Sequence, residues 1–573
     1  MRALTPLRKY RFRVILAPML KGVECLCELA IPFIVRAIID MGLTQSGQYY
    51  GDNGFVFGLC GAIFGLSLLG FAMTMITQYV SSVTTTRFSF ELKKNLFDHI
   101  GKLSQKQLED YGTNRVMNLV NSSSFSLQSG VQMFMRLLVR APMLVIGSVI
   151  AAFVVNVYAG LAVAALLLFC AVVIFVVAKV TPKRYKALTD ELDTLNRMGD
   201  DAILGSRVVR AFNREEDSME RFSSGSEAYK KQGIRVAKIN ALVNPLTFGF
   251  VNLAVVLVIY LGSFARETTG ISVGSIVALV SFLTQSLNAL IQFTRLLTSL
   301  SKAYEANTRI NSFFAIEPDI VGGAKTARTV ETGERLFELC DVSVNFGGEA
   351  DALSHVDFHI DKGERIGLIG GTGSGKSTLI ALLLRFLDPS HGEALYDGVS
   401  LKEYDLDSLR ATVALVSQKP QLFQGNIRQN LTLGKPFSEK EIEEAIDDAL
   451  AKDVVHGKDE GLDSLVEEGG ANFSGGQKQR LLIARALLSG RELLILDDAT
   501  SALDYRSDLA VRANIARRGN TLLLVSQRAT SVKNCDRIYV LDKGKVVGVG
   551  KHEELLSSCQ VYREIYQAQV RQQ

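Results

Sequence analysis

Gly370-Gly371-Thr372-Gly373-Ser374-Gly375-Lys376-Ser377-Thr378 decides how the rest of the chain is read. The stretch fits G-x-x-x-x-G-K-[ST], with Gly370, Gly375, Lys376 and Ser377 in the defining places. Its context agrees. Residues 365–369 form an apolar run of strand length, and residues 378–384 open a helix. Glycines let a backbone curl so that successive N–H groups converge on phosphate oxygens, and a helix N-terminus adds partial positive charge. Lys376 then reaches the β- and γ-phosphates, and Ser377 takes a Mg2+ ligand position. A chance glycine-rich turn is the competing reading, and the flanking strand and helix weigh against it.

Two stretches downstream bear on the same chemistry. Leu493-Leu494-Ile495-Leu496-Asp497-Asp498 is an apolar strand ending in carboxylates, so Asp497 is placed to hold Mg2+ directly or through water. Asn472-Phe473-Ser474-Gly475-Gly476-Gln477-Lys478-Gln479-Arg480 lies between the two. Taken alone, Ser474-Gly475-Gly476-Gln477 reads only as a loop entering the helix 479–488.

Upstream the composition changes. Of 573 residues 48% are hydrophobic, high enough that membrane spans are sought first. A net charge of +4 on a chain this long makes no case for nucleic acid. The seven cysteines form no C-x-x-C pair and mostly sit in apolar runs, so they read as reduced packing residues. Residues 14–39 are long enough to span and are interrupted by Lys21, Glu24 and Glu28. Uncharged runs follow at 54–86, 141–178, 239–265 and 268–294. The run 141–178 is too long for one span, and Asn156-Val157-Tyr158-Ala159-Gly160 in its middle reads as the turn of a helical hairpin. The count expected is therefore six transmembrane helices.

Lys and Arg avoid the loop 42–53 and the hairpin turn but crowd 87–140 and 179–238, where Lys93, Lys94, Lys102, Lys106, Arg207 and Arg210 lie. By the positive-inside rule both termini and both long connections are cytoplasmic. Polar residues with Gly322-Gly323 mark a linker, after which short β-rich runs alternate with helices. The expected domains are 1–318 in the membrane, a linker at 319–334 and an α/β domain at 335–573.

The phosphate loop, the strand ending in Asp497 and Ser474-Gly475-Gly476-Gln477, in this order and spacing, resemble the nucleotide-binding domain of ATP-binding cassette (ABC) proteins. The resemblance covers nearly the whole chain. It implies ATP and Mg2+ as cofactors, with Gly370, Gly371, Thr372, Gly373, Ser374, Gly375, Lys376, Ser377 and Thr378 on the phosphates. It puts Gln418 at the family's Q-loop, near Mg2+ and the attacking water, and Phe346 where an aromatic stacks on adenine. Glu468 matches the X-loop of exporters, and Ser501-Ala502-Leu503-Asp504 the D-loop. Residues 205–215 resemble the second coupling helix of exporters. Six spans fused ahead of one cassette is the arrangement of an exporter half-transporter in a cell membrane, a bacterial plasma membrane being the expected setting. Such a chain pairs with a second half-transporter, meets membrane lipid and moves a substrate that the sequence does not identify.

Two departures stand out. The family's catalytic Glu is replaced by Asp498, and its switch histidine by Gln527. A carboxylate that polarises water must lie within about 3 Å of it, and Asp is one methylene shorter than Glu. Because Ser474, Gly475, Gly476 and Gln477 are intact, the chain resembles the degenerate-site subunit of a heterodimeric exporter: poor at its own hydrolysis, sound at completing the partner's site. A slow homodimeric exporter and an ATP-gated channel or sensor are the rival readings.

Lys21, Glu24 and Glu28 share one helix face, and Arg136 or Arg140 is a candidate partner for them. Ser281, Gln285, Asn288, Gln292 and Arg295 also fall on one face; polar glue between helices is the competing reading, and Gln285, Asn288 and Gln292 are expected to line a wet substrate pathway. Phe282 and Phe293 are expected to add apolar contact to that pathway.

Overall fold

The structure is a computed structural model that describes residues 3–45, 47–269, 271–348, 350–500 and 502–570. It divides into two compact units. Met1–Lys102 with Tyr111–Glu317 form the first, and Leu103–Asp110 with Pro318–Gln573 form the second.

The first unit is helical. It contains α1 (Arg11–Ala37), α2 (Asn53–Ile100), α4 (Thr113–Asn118), α5 (Ser124–Leu137), α6 (Arg140–Val155), α7 (Val157–Leu204), α8 (Ser206–Ala211), α9 (Glu215–Thr269) and α10 (Val273–Phe314); α3 (Gln105–Tyr111) falls almost wholly in the second unit. Among the described residues, Asn53–Ile100, Thr113–Val155 and Val273–Phe314 are long and apolar enough to cross a membrane. Helices α7 and α9 follow the remaining uncharged runs, with many of their side chains, Cys170 among them, outside the described residues. The expected hairpin turn contracts to Asn156, whose extended backbone separates α6 from α7. The stretch compared to a coupling helix is the short α8, which interrupts the long helices α7 and α9.

Local chemistry sets the helix starts. Asp52 caps α2 by accepting from the Gly54 and Phe55 amides at 2.9 and 3.3 Å. Ser272 caps α10, and its hydroxyl also meets Asp40 Oδ2 at 2.5 Å. In a membrane, helices gain little from apolar burial and associate by close packing at small residues. Here a Cβ on Gly147 would lie 2.4 Å from Leu29 Cδ1, and one on Gly130 2.2 Å from Ala303 Cβ. Helices α1, α6 and α10 share a core in which Cys25, Leu144 and Ala289 are buried together.

The second unit is α/β. A four-stranded antiparallel sheet runs β2 (Leu353–Asp361), β1 (Arg335–Val344), β4 (His391–Tyr396), β5 (Val399–Ser400). A six-stranded sheet runs β12 (Lys545–Gly550), β11 (Arg537–Asp542), β3 (Arg365–Gly370), β10 (Thr521–Ser526), β9 (Leu493–Asp497), β6 (Val413–Val416), parallel except at the β12 edge. β7 (Gly425–Asn426) pairs only with β8 (Leu465–Val466). Strands covered on both faces should read as continuous apolar runs, and β9 and β10 do. Their side chains divide with period two. Leu493, Ile495, Leu523 and Val525 enter the core beneath the antiparallel sheet, while Leu494, Leu496, Leu522 and Leu524 enter the core on the other face.

The segment expected to be a linker lies along this unit. Ile320 and Val330 are buried, and the Gly323 and Lys325 amides donate to Tyr404 O and Glu403 O at 2.8 and 2.9 Å.

Candidate functional site at the strand ends

Strand register brings the sequence motifs together. Ile369 on β3 is level with Ser526 on β10, Val525 with Asp497 on β9, and Leu496 with Val416 on β6. The loop that begins at Gly370, Gln527, the carboxylates Asp497 and Asp498, and Gln418 therefore all leave one edge of the sheet. This is the carboxyl edge, where open α/β sheets place their ligands.

The phosphate loop is built for an anion. Gly375 has φ +104° and precedes the helix Lys376–Leu383, whose first amides receive no side-chain cap. A Cβ at Gly375 would lie 2.7 Å from Ala352 O, and one at Gly370 2.3 Å from Leu541 O, so only glycine fits either place. Gly371 and Gly373, by contrast, face open space, and Gly371, Thr372, Gly373 and Ser377 are exposed. Ser374 is buried and Thr378 half-buried. Lys376 Nζ donates to Gly370 O at 2.8 Å and Gly371 O at 2.7 Å, which folds its cation back across the loop. Burial lowers the Lys376 pKa from its ordinary value, against the raising influence of Asp498 and Asp497.

Asp497 is shifted the other way. Burial raises its pKa, the charge of Asp498 adds to this, and Lys376 opposes it. A half-buried carboxyl beside a second carboxyl and one lysine is short of positive charge, which suits a divalent cation. Ser377, Asp497 and Gln418 are the residues that would hold Mg2+, and the metal would supply charge neutralisation between phosphates and protein. Phe346 keeps half its surface exposed, with the Lys106 ammonium 5.4 Å from its ring centroid. That leaves ring area for a base to stack on.

Two family models match, the ABC transporter transmembrane region over residues 14–290 and ABC transporter over 353–501. An uncharacterized ABC transporter ATP-binding protein of Mycobacterium tuberculosis is 30% identical over 576 residues, covering 98% of this chain and 97% of its own. The chain belongs to the ABC transporter family. The ATP-dependent lipid A-core flippase of Haemophilus ducreyi is 28% identical over 575 residues, 98% of this chain and 96% of its own. A solved bacterial Atm1-family ABC exporter with ATP bound superposes with TM-score 0.79 at 21% identity, covering 98% of each chain. The architecture is that of an ABC exporter half-transporter, a helical membrane domain fused to an ABC ATPase domain.

In this ABC transporter Asp498 and Gln527, the two residues read from sequence as departures, touch one another. Asp498 has φ +47°, a left-handed conformation that Asp tolerates better than most residues. Its carboxylate accepts from the Gln527 amide at 3.3 Å and from Gln527 Nε2 at 3.5 Å. Asp498 thus faces Gln527 of its own chain.

The signature is well formed. Ser474 Oγ accepts from the Gln477 amide at 3.3 Å, and Gln477 Oε1 accepts from the Ser474 amide at 2.9 Å, a reciprocal cap on the helix Gly475–Leu488. Ser474 and Gly475 are exposed and Gly476 half-buried, so this helix start is presented at the surface. Phe473 is buried beneath Lys458, whose ammonium lies 4.6 Å from the ring centroid. Ser501 lies outside the described residues. The next residue, Ala502, donates its amide to Gln479 Oε1 at 3.0 Å, a tie between D-loop and signature helix that no motif announced. Glu468 is exposed on a short 3-10 turn.

In the membrane unit, Arg140 is the partner of the charged face of α1. Its Nη2 donates to Glu28 at 2.7 Å, its Nε lies 3.8 Å from Glu24, and Lys21 bonds Glu24 at 2.5 Å. Arg136 instead donates to Ser81 and Ser82 at 3.3 and 2.8 Å. The polar stripe of α10 divides. Gln292 accepts from Arg140 at 3.3 Å and Gln285 donates to Glu28 O at 3.4 Å, so these two bind helices together. Asn288 and Arg295 are exposed. Phe282, expected beside the pathway, is instead fully buried, its ring 5.2 Å from Phe33, because three helices converge there.

Proposed function

We propose that this half-transporter is the degenerate-site subunit of a heterodimeric exporter. ATP with Mg2+ binds at the phosphate loop, Asp497, Gln418 and Phe346. Hydrolysis there is weak because Asp498 and Gln527 stand where Glu and His serve the family. Ser474, Gly475, Gly476 and Gln477 meet the γ-phosphate of ATP held by the partner chain. Closure of the paired cassettes on ATP is passed through coupling helices, α8 among them, to six spans, with both termini in the cytoplasm. The cargo is a small molecule, a lipid or a peptide, and the likeness to lipid A-core flippases favours an amphiphile. One observation carries the asymmetric reading: Asp498 and Gln527 hold each other at 3.3 and 3.5 Å, so both replaced groups bear on one bound ATP.

The test is an ATPase assay on the purified pair. Removing the partner's catalytic carboxylate should stop turnover, whereas Asp498→Ala should leave most of it. Equal losses from the two substitutions would favour two equivalent sites. Uptake into inside-out vesicles that requires ATP separates pumping from gating.

A further inference from the structure

The switch loop is held from a place that no nucleotide motif reaches. The helix Gln560–Val570 lies far along the chain from Gln527, yet Gln569 grips the loop on both sides. Its Nε2 donates to Gln527 O at 2.8 Å, and its Oε1 accepts from the Ala529 amide at 2.8 Å. One side-chain amide thus bonds both ends of the three-residue stretch 527–529, while the Arg528 amide between them donates to Ser526 Oγ at 3.1 Å. The Gln527 amide meanwhile donates to Asp498 at 3.3 Å. Both peptide planes flanking Gln527 are therefore fixed, one by the carboxylate and one by Gln569.

The arm that carries Gln569 is itself rigid. Tyr562, seven residues earlier and on the same helix face, is fully buried, and its hydroxyl meets His552 Nδ1 at 2.7 Å. Ile565 and Tyr566, on that face, pack against the core that also contains Leu524 and Ala529. The helix is fastened to the domain at Tyr562 and applies its last described turn to the loop. A half-buried glutamine that only filled space would not need both amide atoms aligned to opposite backbone groups two residues apart.

We infer that Gln569 is a positioning residue for the switch loop, acting through Gln527 to set how strongly the site distinguishes ATP from ADP. The inference rests on the reading that Gln527 faces the γ-phosphate. Without the grip, the loop loses its two fixed points against the helix, and a contact to the third phosphate must then be ordered at the moment of binding. The first two phosphates are held by the loop 370–378 and do not depend on Gln569.

The experiment uses the full-length chain in nanodiscs and measures affinity for a β,γ-imido ATP analogue and for ADP. Gln569→Ala and the near-isosteric Gln569→Met should each weaken the ATP analogue about five- to tenfold, the scale of one or two lost hydrogen bonds, and leave ADP unchanged. Gln527→Ala should do the same, and Gln527→Ala with Gln569→Ala should add nothing further, because one group acts through the other. Equal weakening of ATP analogue and ADP by Gln569→Met, or no weakening at all, overturns the inference while leaving the role of Gln527 intact. Unchanged discrimination in Gln527→Ala removes the reading on which the inference stands.

Discussion

Exchanging Asp498→Glu and Gln527→His together puts the proposed cause of weak hydrolysis under direct test. The structural cost of the exchange is small. Asp498 sits at φ +47°, where a longer side chain adds about 1 kcal/mol of backbone strain. The two contacts it would disturb are long, 3.3 and 3.5 Å, and together contribute at most about 1 kcal/mol. The variant should therefore melt only a few degrees, roughly 3–6 °C, below the parent. The kinetic effect should be much larger. A general base that reaches its water contributes about 100-fold or more, equivalent to roughly 2.7 kcal/mol of barrier. The chain purified alone should hydrolyse ATP very slowly. The double variant should release phosphate about 100 times faster, and in the assembled pair it should leave transport running. The assay is phosphate release in nanodiscs beside a melting curve and an ATP-binding isotherm. A rise of less than about threefold, with binding intact, would refute the assignment of weak hydrolysis to these two residues. Brisk turnover by the unaltered chain alone would refute it equally.

Other expectations rest on the same structure. Asp497→Asn should raise the melting temperature of the nucleotide-free protein at neutral pH. The raised pKa of Asp497 means that its stabilising, protonated form is lost as pH rises through the raised value, so the advantage of Asn should shrink on acidification toward the ordinary Asp range. The same variant should lose Mg2+-dependent tightening of ATP binding. Ser474→Arg should nearly abolish turnover by the pair with little loss of fold, since Ser474 is exposed; a normal rate would detach the signature from the partner's site. Arg140→Met should cost about 2 kcal/mol in detergent melts by stranding Glu28, while Glu24 keeps Lys21, and adding Glu28→Gln should recover part of it. Single cysteines at 288 should react with a water-soluble thiol reagent faster than cysteines at 283 and 287, which are buried on another face of α10; equal rates would remove Asn288 from any wet pathway.

Much of the protein is legible from sequence alone because its signals are local. The phosphate loop needs glycines at fixed offsets between a strand and a helix, and these are neighbours in the chain. Apolar length reports helices that must satisfy their own backbone in lipid, and Asn156 between two such runs marks a turn. Parallel strands covered on both faces are apolar throughout, which is why 493–496 reads as a strand. The identities of Asp498 and Gln527 are likewise visible, since each stands at a set distance from a motif.

What the tertiary structure alone decides are the pairings across the chain. Sequence left Arg136 and Arg140 as equal partners for the charged face of α1; packing of α6 against α1 chose Arg140 and gave Arg136 to Ser81 and Ser82. Periodicity placed Gln285 and Gln292 on the same face as Asn288, yet the first two are spent on neighbouring helices because Glu28 and Arg140 lie within reach. It also placed Phe282 near the pathway, where three converging helices bury it instead. Nothing near Gln569 announces that it grips the Gln527 loop, because the contact depends on where Tyr562 anchors the helix that follows the last strand in the chain. Periodicity fixes which residues share a face, but a hydrogen bond between residues dozens of positions apart requires two surfaces to meet, and that is set by the packing of the whole domain.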